Sequence, residues 1–460
     1  MNEESGKKLG MMNIIGLGLG GAIGTGIFVL LGDGIAYTGR SIVLVVALGC
    51  FLMLLAYWYN LAMSTIFVFK GGDYGMKTML FSPLLTGFSA WRTVMGAFGM
   101  SSYAIAIANY LAIAIPDLKQ YQTITAFLVM TLVFLTTIKG SKFVTILENI
   151  VTIVLVAALL LFIVFGVGKV DFGMYFSSAY DGGFFHGGVK GFFSAIAIMG
   201  WACQGTTMGP VAMAAVTKNP KRTIPVGIII ITVLLAVIYG FMAFVAGGVL
   251  PFDTIAGVNI SVTAESIFPH SIYMFFVVGG GIGAIASSLL GGLAMFRYPL
   301  MRVAEDGWLP AVFKKTTKSG YPWATYLGCY VIAILPILTG MPLSSVVSLV
   351  MIPTMLMNIY MNLACMCLPR KYPEQWEKRS IRIPLGLYNL FCILGAASAG
   401  MVVYNLFVDL SFTAAIWAIV IVALLIGLSE IRLKQGAVKR EELKMMREET
   451  IREAIEAEFE

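Results

Sequence analysis

Charge is scarce in this 460-residue chain: 12% of its residues are Asp, Glu, Lys or Arg, against about a quarter in ordinary soluble domains. Together with 59% hydrophobic residues, that deficit excludes a water-solvated globule and describes a chain solvated by lipid. Histidine is almost missing. The two present, His186 and His270, fall in different connecting segments, and no cluster of His, Cys, Asp and Glu is visible. Neither a metal site, a cofactor nor the acid–base set of a membrane enzyme is therefore expected. Cysteine is sparse as well. Cys50, Cys203, Cys329, Cys365, Cys367 and Cys392 all lie in apolar runs, and the i, i+2 spacing of Cys365 and Cys367 points their sulfurs apart in a helix, so no disulfide framework is expected. The first apolar run, behind Lys7 and Lys8, lacks a small-residue cleavage site, so the N-terminus is expected to be retained and cytoplasmic.

What the chain has instead is apolar length. A hydrocarbon core needs roughly 20 apolar residues per helical crossing. Runs bounded by charges, Gly and Pro predict twelve spans at about 11–37, 41–69, 83–115, 121–138, 143–167, 190–217, 223–249, 272–302, 324–340, 343–369, 386–408 and 412–432. An even number puts both termini on one side. If that side is cytoplasmic, the inner loops and helix ends hold 19 Lys and Arg, among them Lys218, Lys221, Arg222, Lys314, Arg370 and Arg382, while the outer ones hold 4: Arg40, Lys119, Lys169 and Lys190. This positive-inside asymmetry places a multi-pass protein in the cell membrane and accounts for the net charge of +7 without a nucleic-acid partner. Residues 1–433 read as one membrane domain. Residues 434–460, of mixed sign, read as a charged, solvated cytoplasmic tail, with Leu443, Ile451 and Ile455 as a docking alternative.

Two spans carry interruptions. In the first, Gly24-Thr25-Gly26 is a poor helix former near mid-span. In the sixth, Ala202-Cys203-Gln204-Gly205 places an amide and a glycine at similar depth. Irregular backbone at membrane depth is tolerated where it lines a cavity, and breaks at corresponding places point to an inverted-repeat transporter with its site at the midplane. Broken ends offer N–H groups to an anion and C=O groups to a cation, and an α-amino acid carries both charges. Gly16 to Gly21 formally matches a dinucleotide-binding fingerprint, but it lies in a membrane segment without the preceding strand and is read as helix packing.

Four segments carry a family resemblance. Gly20-Gly21-Ala22-Ile23-Gly24-Thr25-Gly26-Ile27-Phe28 resembles the first-helix signature of the amino acid–polyamine–organocation (APC) superfamily, and Gly71-Gly72-Asp73-Tyr74 resembles the end of its second helix. Lys218-Asn219-Pro220-Lys221-Arg222-Thr223-Ile224-Pro225 and Ala304-Glu305-Asp306-Gly307-Trp308-Leu309-Pro310 resemble its loops after helices 6 and 8. The resemblance implies an all-α integral membrane fold of twelve helices with a LeuT-like 5+5 inverted repeat: helices 1–5 over about 11–167, helices 6–10 over about 190–369, and helices 11 and 12 over about 386–432. It also implies a carboxylate site on the backbone of Gly24, Thr25 and Gly26 next to Ile27, an amine site on carbonyls near Ala22 and Ile23 and in the helix-6 break (Ala202, Cys203, Gln204, Gly205), and Trp201 near an aromatic that closes over substrate in some relatives.

The chain departs from the family where coupling is concerned. Ala214-Ala215-Val216-Thr217 stands where many relatives have paired acids, and no lysine lies between Lys142 and Lys169, where some relatives replace sodium with a lysine. A proton is then one candidate for the coupling partner, and Ser287 or Ser288 on helix 8 another route, as an ion site. Within the spans, Arg92 and Glu148 are ionisable at similar depth, which makes them candidates for a structural ion pair or a gate. The expected function is a secondary permease or exchanger of small neutral L-amino acids working by alternating access. The alternative substrates are cationic amino acids, polyamines or other organic amines, which usually want an acid at the site.

Overall fold

A computed structural model describes residues 8–69, 71–137, 141–177, 183–317 and 321–456, which form helices joined by short connections with no strand among the described residues. The side chains of Thr25, of residues 141–150 (Glu148 included) and of Arg297 lie outside the described set. Among the described residues, eight helical stretches are long and apolar enough to cross a membrane, and Met11–Ala22, Ile153–Val167 and Trp323–Leu338 are shorter apolar helices. Leu128, Leu132 and Leu135, all more than half exposed, point away from the protein along one outer helix, as side chains meeting lipid rather than water do.

The expected first span is three pieces: α1 (Met11–Ala22), α2 (Thr25–Phe28) and α3 (Leu30–Thr38). The break falls at Ile23–Gly24, where Ile23 turns to extended backbone (φ −85°, ψ 107°). The second span is α4 (Ile42–Ala56) followed, after a kink at Tyr57, by α5 (Trp58–Ser64). Composition gives no hint of that kink, because its cause is tertiary. Asn362 of a distant helix donates to Ala56 O (2.9 Å) and accepts from Tyr59 N (3.0 Å), satisfying the backbone groups the kink releases.

Gly71 and Gly72 both take left-handed backbone (φ 94° and 58°), which glycine adopts without a Cβ penalty, and so turn the chain into α6 (Gly72–Leu80). Next come α7 (Pro83–Ala114), N-capped by Ser82 with Pro83 in its first turn, α8 (Gln122–Thr137) and α9 (Ser141–Val167). The sixth span is α10 (Gly188–Cys203) and α11 (Gly205–Ala212), joined through Gln204 alone. Gln204 keeps right-handed helical angles (φ −73°, ψ −23°) and donates to Gly200 O. The expected four-residue gap at Ala202–Gly205 is thus a one-residue kink, because a glycine beside an amide loosens a helix without requiring it to end. Asn219, left-handed at φ 45°, caps α12 (Pro220–Gly248). A π-turn at Phe276–Ile282 leads into α13 (Gly283–Glu305), followed by α14 (Trp323–Leu338), α15 (Leu343–Cys365), α16 (Leu385–Val408), α17 (Phe412–Lys434) and α18 (Arg440–Glu456).

The tail is not simply solvated. Val438 and Leu443 are buried, and Arg447 of α18 donates to Thr78 O (2.6 Å) and to Phe81 O, satisfying carbonyls at the end of α6. Near the N-terminus, Leu9 forms an isolated bridge, its N–H donating to Val216 O and its carbonyl accepting from Lys218 N (2.9 Å each). Of the tail residues read as a docking surface, Leu443 is therefore taken up by the chain itself.

Candidate functional site

Where α1 breaks, the first and sixth spans press together. A Cβ on Gly26 would overlap the Ala202 side chain and stand 2.5 Å from Ala202 Cα, and one on Gly205 would stand 2.7 Å from Ala22 Cα. A Cβ on Gly24 would stand 2.6 Å from Ser288 Oγ. Glycine at these places serves close approach rather than unusual backbone, since neither Gly24 nor Gly26 has positive φ. Ser288 on α13 donates to Ile23 O (2.8 Å) and Gly20 O (3.2 Å), and Tyr239 on α12 donates to Ala22 O (3.0 Å). The carbonyls expected to hold an amine are thus each engaged by a hydroxyl and keep one further lone pair.

Beside this junction lies a cavity of about 230 Å³. Its walls include Gly21, Ala22, Gly24 and Gly26 from the first span, Arg92, Gly96, Gly99, Met100 and Tyr103 from α7, and Trp201, Ala202, Gln204, Gly205 and Met208 from the sixth span. Ser288, Gly292 and Phe296 of α13, Val350 and Thr354 of α15, and Asp73 and Tyr74 of α6 also line it. The Tyr103 and Trp201 rings are 6.3 Å apart, and Tyr57 donates to Gln204 Oε1 at 2.8 Å. Beyond the break, Phe28 packs on Tyr110 and Phe276, and Tyr110 donates to Phe28 O (2.8 Å), so aromatic rings fill that end.

Of the residues singled out from sequence, Ala22, Gly24, Gly26, Trp201, Ala202, Gln204, Gly205, Ser288 and Arg92 line the cavity. Ile23 and Ile27 are core side chains, 2% and 0% exposed. Ser287 is buried behind the wall with no hydrogen-bond partner among the described residues. Cys203 requires a correction: it faces α4, its sulfur 3.3 Å from Cys50 Sγ, because a helix that continues through residue 203 turns that side chain away from its neighbour Gln204. Cys203→Ala should accordingly leave the ranking of transported substrates unchanged, whereas Gln204→Ala, which removes both an amide from the wall and the acceptor of Tyr57, should shift that ranking. Competition uptake across a panel of amino acids checks both.

The partner expected for Arg92 was Glu148, whose side chain lies outside the described residues. Arg92 instead reaches Asp73, Nη2 to Oδ2 at 3.1 Å, and Thr354 Oγ1 at 3.4 Å. Lys77 Nζ shares the same Oδ2 at 2.7 Å, and Tyr59 OH lies 2.5 Å from Asp73 Oδ1 and 3.0 Å from Asn358 Oδ1. Burial, and then the Arg92 cation, push Lys77 down to about 8 against the pull of Asp73. Nearby, Tyr74 donates to Asp306 Oδ2 (2.7 Å), and Arg302 pairs with Asp306 Oδ1 (3.2 Å). The Gly71–Tyr74 segment and the Ala304–Pro310 segment are therefore two sides of one contact. Burial is the largest influence on the Asp306 carboxyl and lifts it above the usual range.

Sequence reading missed Asp73 and Tyr103 as cavity residues. A signal for Tyr103 was present: Arg92, Gly96, Gly99 and Tyr103 recur at i, i+4, i+7 and i+11, one face of a helix carrying the only arginine of α7 and two small residues. Asp73 stands out only as part of the Gly71–Tyr74 motif, and nothing local marks it as a cavity residue, since it belongs to a separate short helix.

The chain is 26% identical to a branched-chain amino acid permease of Bacillus subtilis (strain 168), with 86% of this chain and 89% of that one covered. It is 25% identical to a methylthioribose transporter of the same organism (83% and 85% covered) and 26% identical to a D-serine/D-alanine/glycine transporter of Escherichia coli (strain K12; 66% and 67% covered). A family model described as amino acid permease matches residues 9–429, nearly the whole chain, and the protein belongs to that family of multi-pass membrane transporters.

Proposed function

We propose that the chain is a secondary transporter of small neutral L-amino acids, with the substrate held where the break in the first span meets the kink in the sixth. The observation that carries the reading is the convergence of Gly24, Gly26, Ala202 and Gly205 on one wall of a cavity of about 230 Å³. The N–H groups of Thr25, Gly26 and Ile27 open a new helical segment there and suit a carboxylate. The amine is left to the second lone pairs of the Ala22 and Ile23 carbonyls. Around that point the wall is apolar or neutral, with Tyr103, Gln204 and Ser288 among its polar groups, while the charged cluster further along carries, among the described residues, Arg92 and Lys77 against Asp73. That balance opposes a cationic substrate.

In this reading the chain crosses the cell membrane twelve times, spans 1–5 and 6–10 are inverted repeats, and both termini are cytoplasmic. The cavity runs from the break toward α6, on the side where α18 and Leu9 dock, and is therefore turned to the cytoplasm, with the Phe28–Tyr110–Phe276 rings closing the outer side. Coupling is by exchange or by a proton. Ser288, the ion-site alternative, donates to Ile23 O and keeps its lone pairs, so replacing sodium is what tests it.

The test is competition in proteoliposomes. A transported amino acid should displace label while its methyl ester and its decarboxylated amine compete poorly, since both lack the carboxylate, and uptake should persist when choline replaces sodium at constant pH. An amine that competes better than its parent amino acid would put the carboxylate site elsewhere, and uptake that stops without sodium would restore an ion site.

A further inference from the structure

Among the described residues, the Asp73 cluster has one positive charge more than it has negative. Lys77 and Arg92 both end on a single carboxylate oxygen, Asp73 Oδ2, and the three side chains are 0%, 8% and 7% exposed. Their other hydrogen-bond partners among the described residues are neutral: Tyr59 from α5, and Thr354 and Asn358 from α15. The nearby carboxylate of Asp306 is taken up by Tyr74 and Arg302. Among the described residues Arg92 Nε is buried with no acceptor, and Nη1 makes only the 3.4 Å contact to Thr354. A buried surplus charge with unspent donors is costly unless a counter-charge completes it. Both Asp73 and Arg92 form part of the cavity wall, so an anion in the cavity can reach them.

We propose that this cluster is a second carboxylate station of the cavity, where the carboxylate of the transported amino acid completes the charge of Arg92 and Lys77 after it has left the break in the first span. The inference rests on the reading of the cavity as the transport path. It is not a subsite for the side chain of a substrate still seated at the break. Tyr103, which touches the Gly24 position, and Arg92 are eleven residues apart on α7, about 16 Å along the axis, farther than one amino acid spans even with the reach of an arginine. Guanidinium is the suited group, since its planar set of donors can keep Asp73 and accept a second carboxylate together.

The test uses acetate as the carboxylate and acetamide as its neutral match, titrated into the full chain in lipid nanodiscs at an ionic strength held with isethionate. Intrinsic tryptophan fluorescence, to which Trp91 and Trp201 contribute, and the Tm are followed together. Acetate should produce a saturable response and acetamide none. Arg92→Gln and Lys77→Met each leave one cation on Asp73, a neutral pair, so both should stay monodisperse while the apparent affinity for acetate falls roughly tenfold or more. A merely structural cluster would shift Tm in these variants without distinguishing acetate from acetamide. The station is overturned if wild type gives no saturable acetate response in either signal, if acetamide gives the same one, or if both variants keep it. Binding is read without transport, so failure here leaves the competition result of the proposed function standing, while failure there removes the path the station belongs to without changing the acetate response.

Discussion

Uptake by a Gly26→Val variant is expected to fall to background. The added Cβ does not point at open space: it runs into Ala202, whose Cα would be 2.5 Å away, so the first and sixth spans would have to separate where the cavity wall depends on their contact. Overpacking against backbone costs about 1–3 kcal/mol or more and shifts main chain, because a neighbouring helix backbone cannot rotate out of the way as a flexible side chain can. Valine is at home in an apolar span, so insertion into the membrane should survive and size-exclusion profiles should stay monodisperse. Gly26→Ala should lose most uptake as well, and adding Ala202→Gly should recover part of it, since that change deletes the methyl the new Cβ meets. Normal uptake by Gly26→Val would mean that the two spans do not need to touch here during transport.

The second large effect is expected at Asp73. Asp73→Asn leaves Lys77 and Arg92 buried with no counter-charge, and removing one partner of a buried charge set costs about 3–5 kcal/mol. Expression and Tm should fall sharply. Arg92→Gln and Lys77→Met should cost far less, because each leaves a balanced pair, and adding Lys77→Met to Asp73→Asn should recover part of the loss by removing one of the two stranded cations. Thermal unfolding in detergent measures the series. If Asp73→Asn were no worse than Lys77→Met, the cluster would not be held together by its charge.

How much of this was legible beforehand differs from residue to residue. The break near Gly24 and the kink at Gln204 were visible because glycine and a mid-span amide are local departures from an apolar run, although their extent was overestimated at Ala202–Gly205. Trp201 and Gln204 were legible as site residues through resemblance as much as through chemistry, whereas Ser288 was legible only as a possible ion site. Cys203 was misplaced, since deciding which way its side chain points requires knowing that the helix continues through it. The kink at Tyr57 was invisible because the group that stabilises it, Asn362, is 303 residues away from its partner Tyr59.

The sequence by itself determined that the chain is helical, lipid-solvated and interrupted in two spans, because hydropathy, length and glycine act within one segment. Only the tertiary structure decided which charges meet and what the tail does. Arg92 ends on Asp73, Tyr74 on Asp306, Cys203 on Cys50, and Arg447 on the end of α6. The reason is physical. A helix that is apolar on every side carries no stripe to announce its buried face, so the rotation of each helix, and with it the partner of each rare polar side chain, is fixed by packing between helices rather than by periodicity along one.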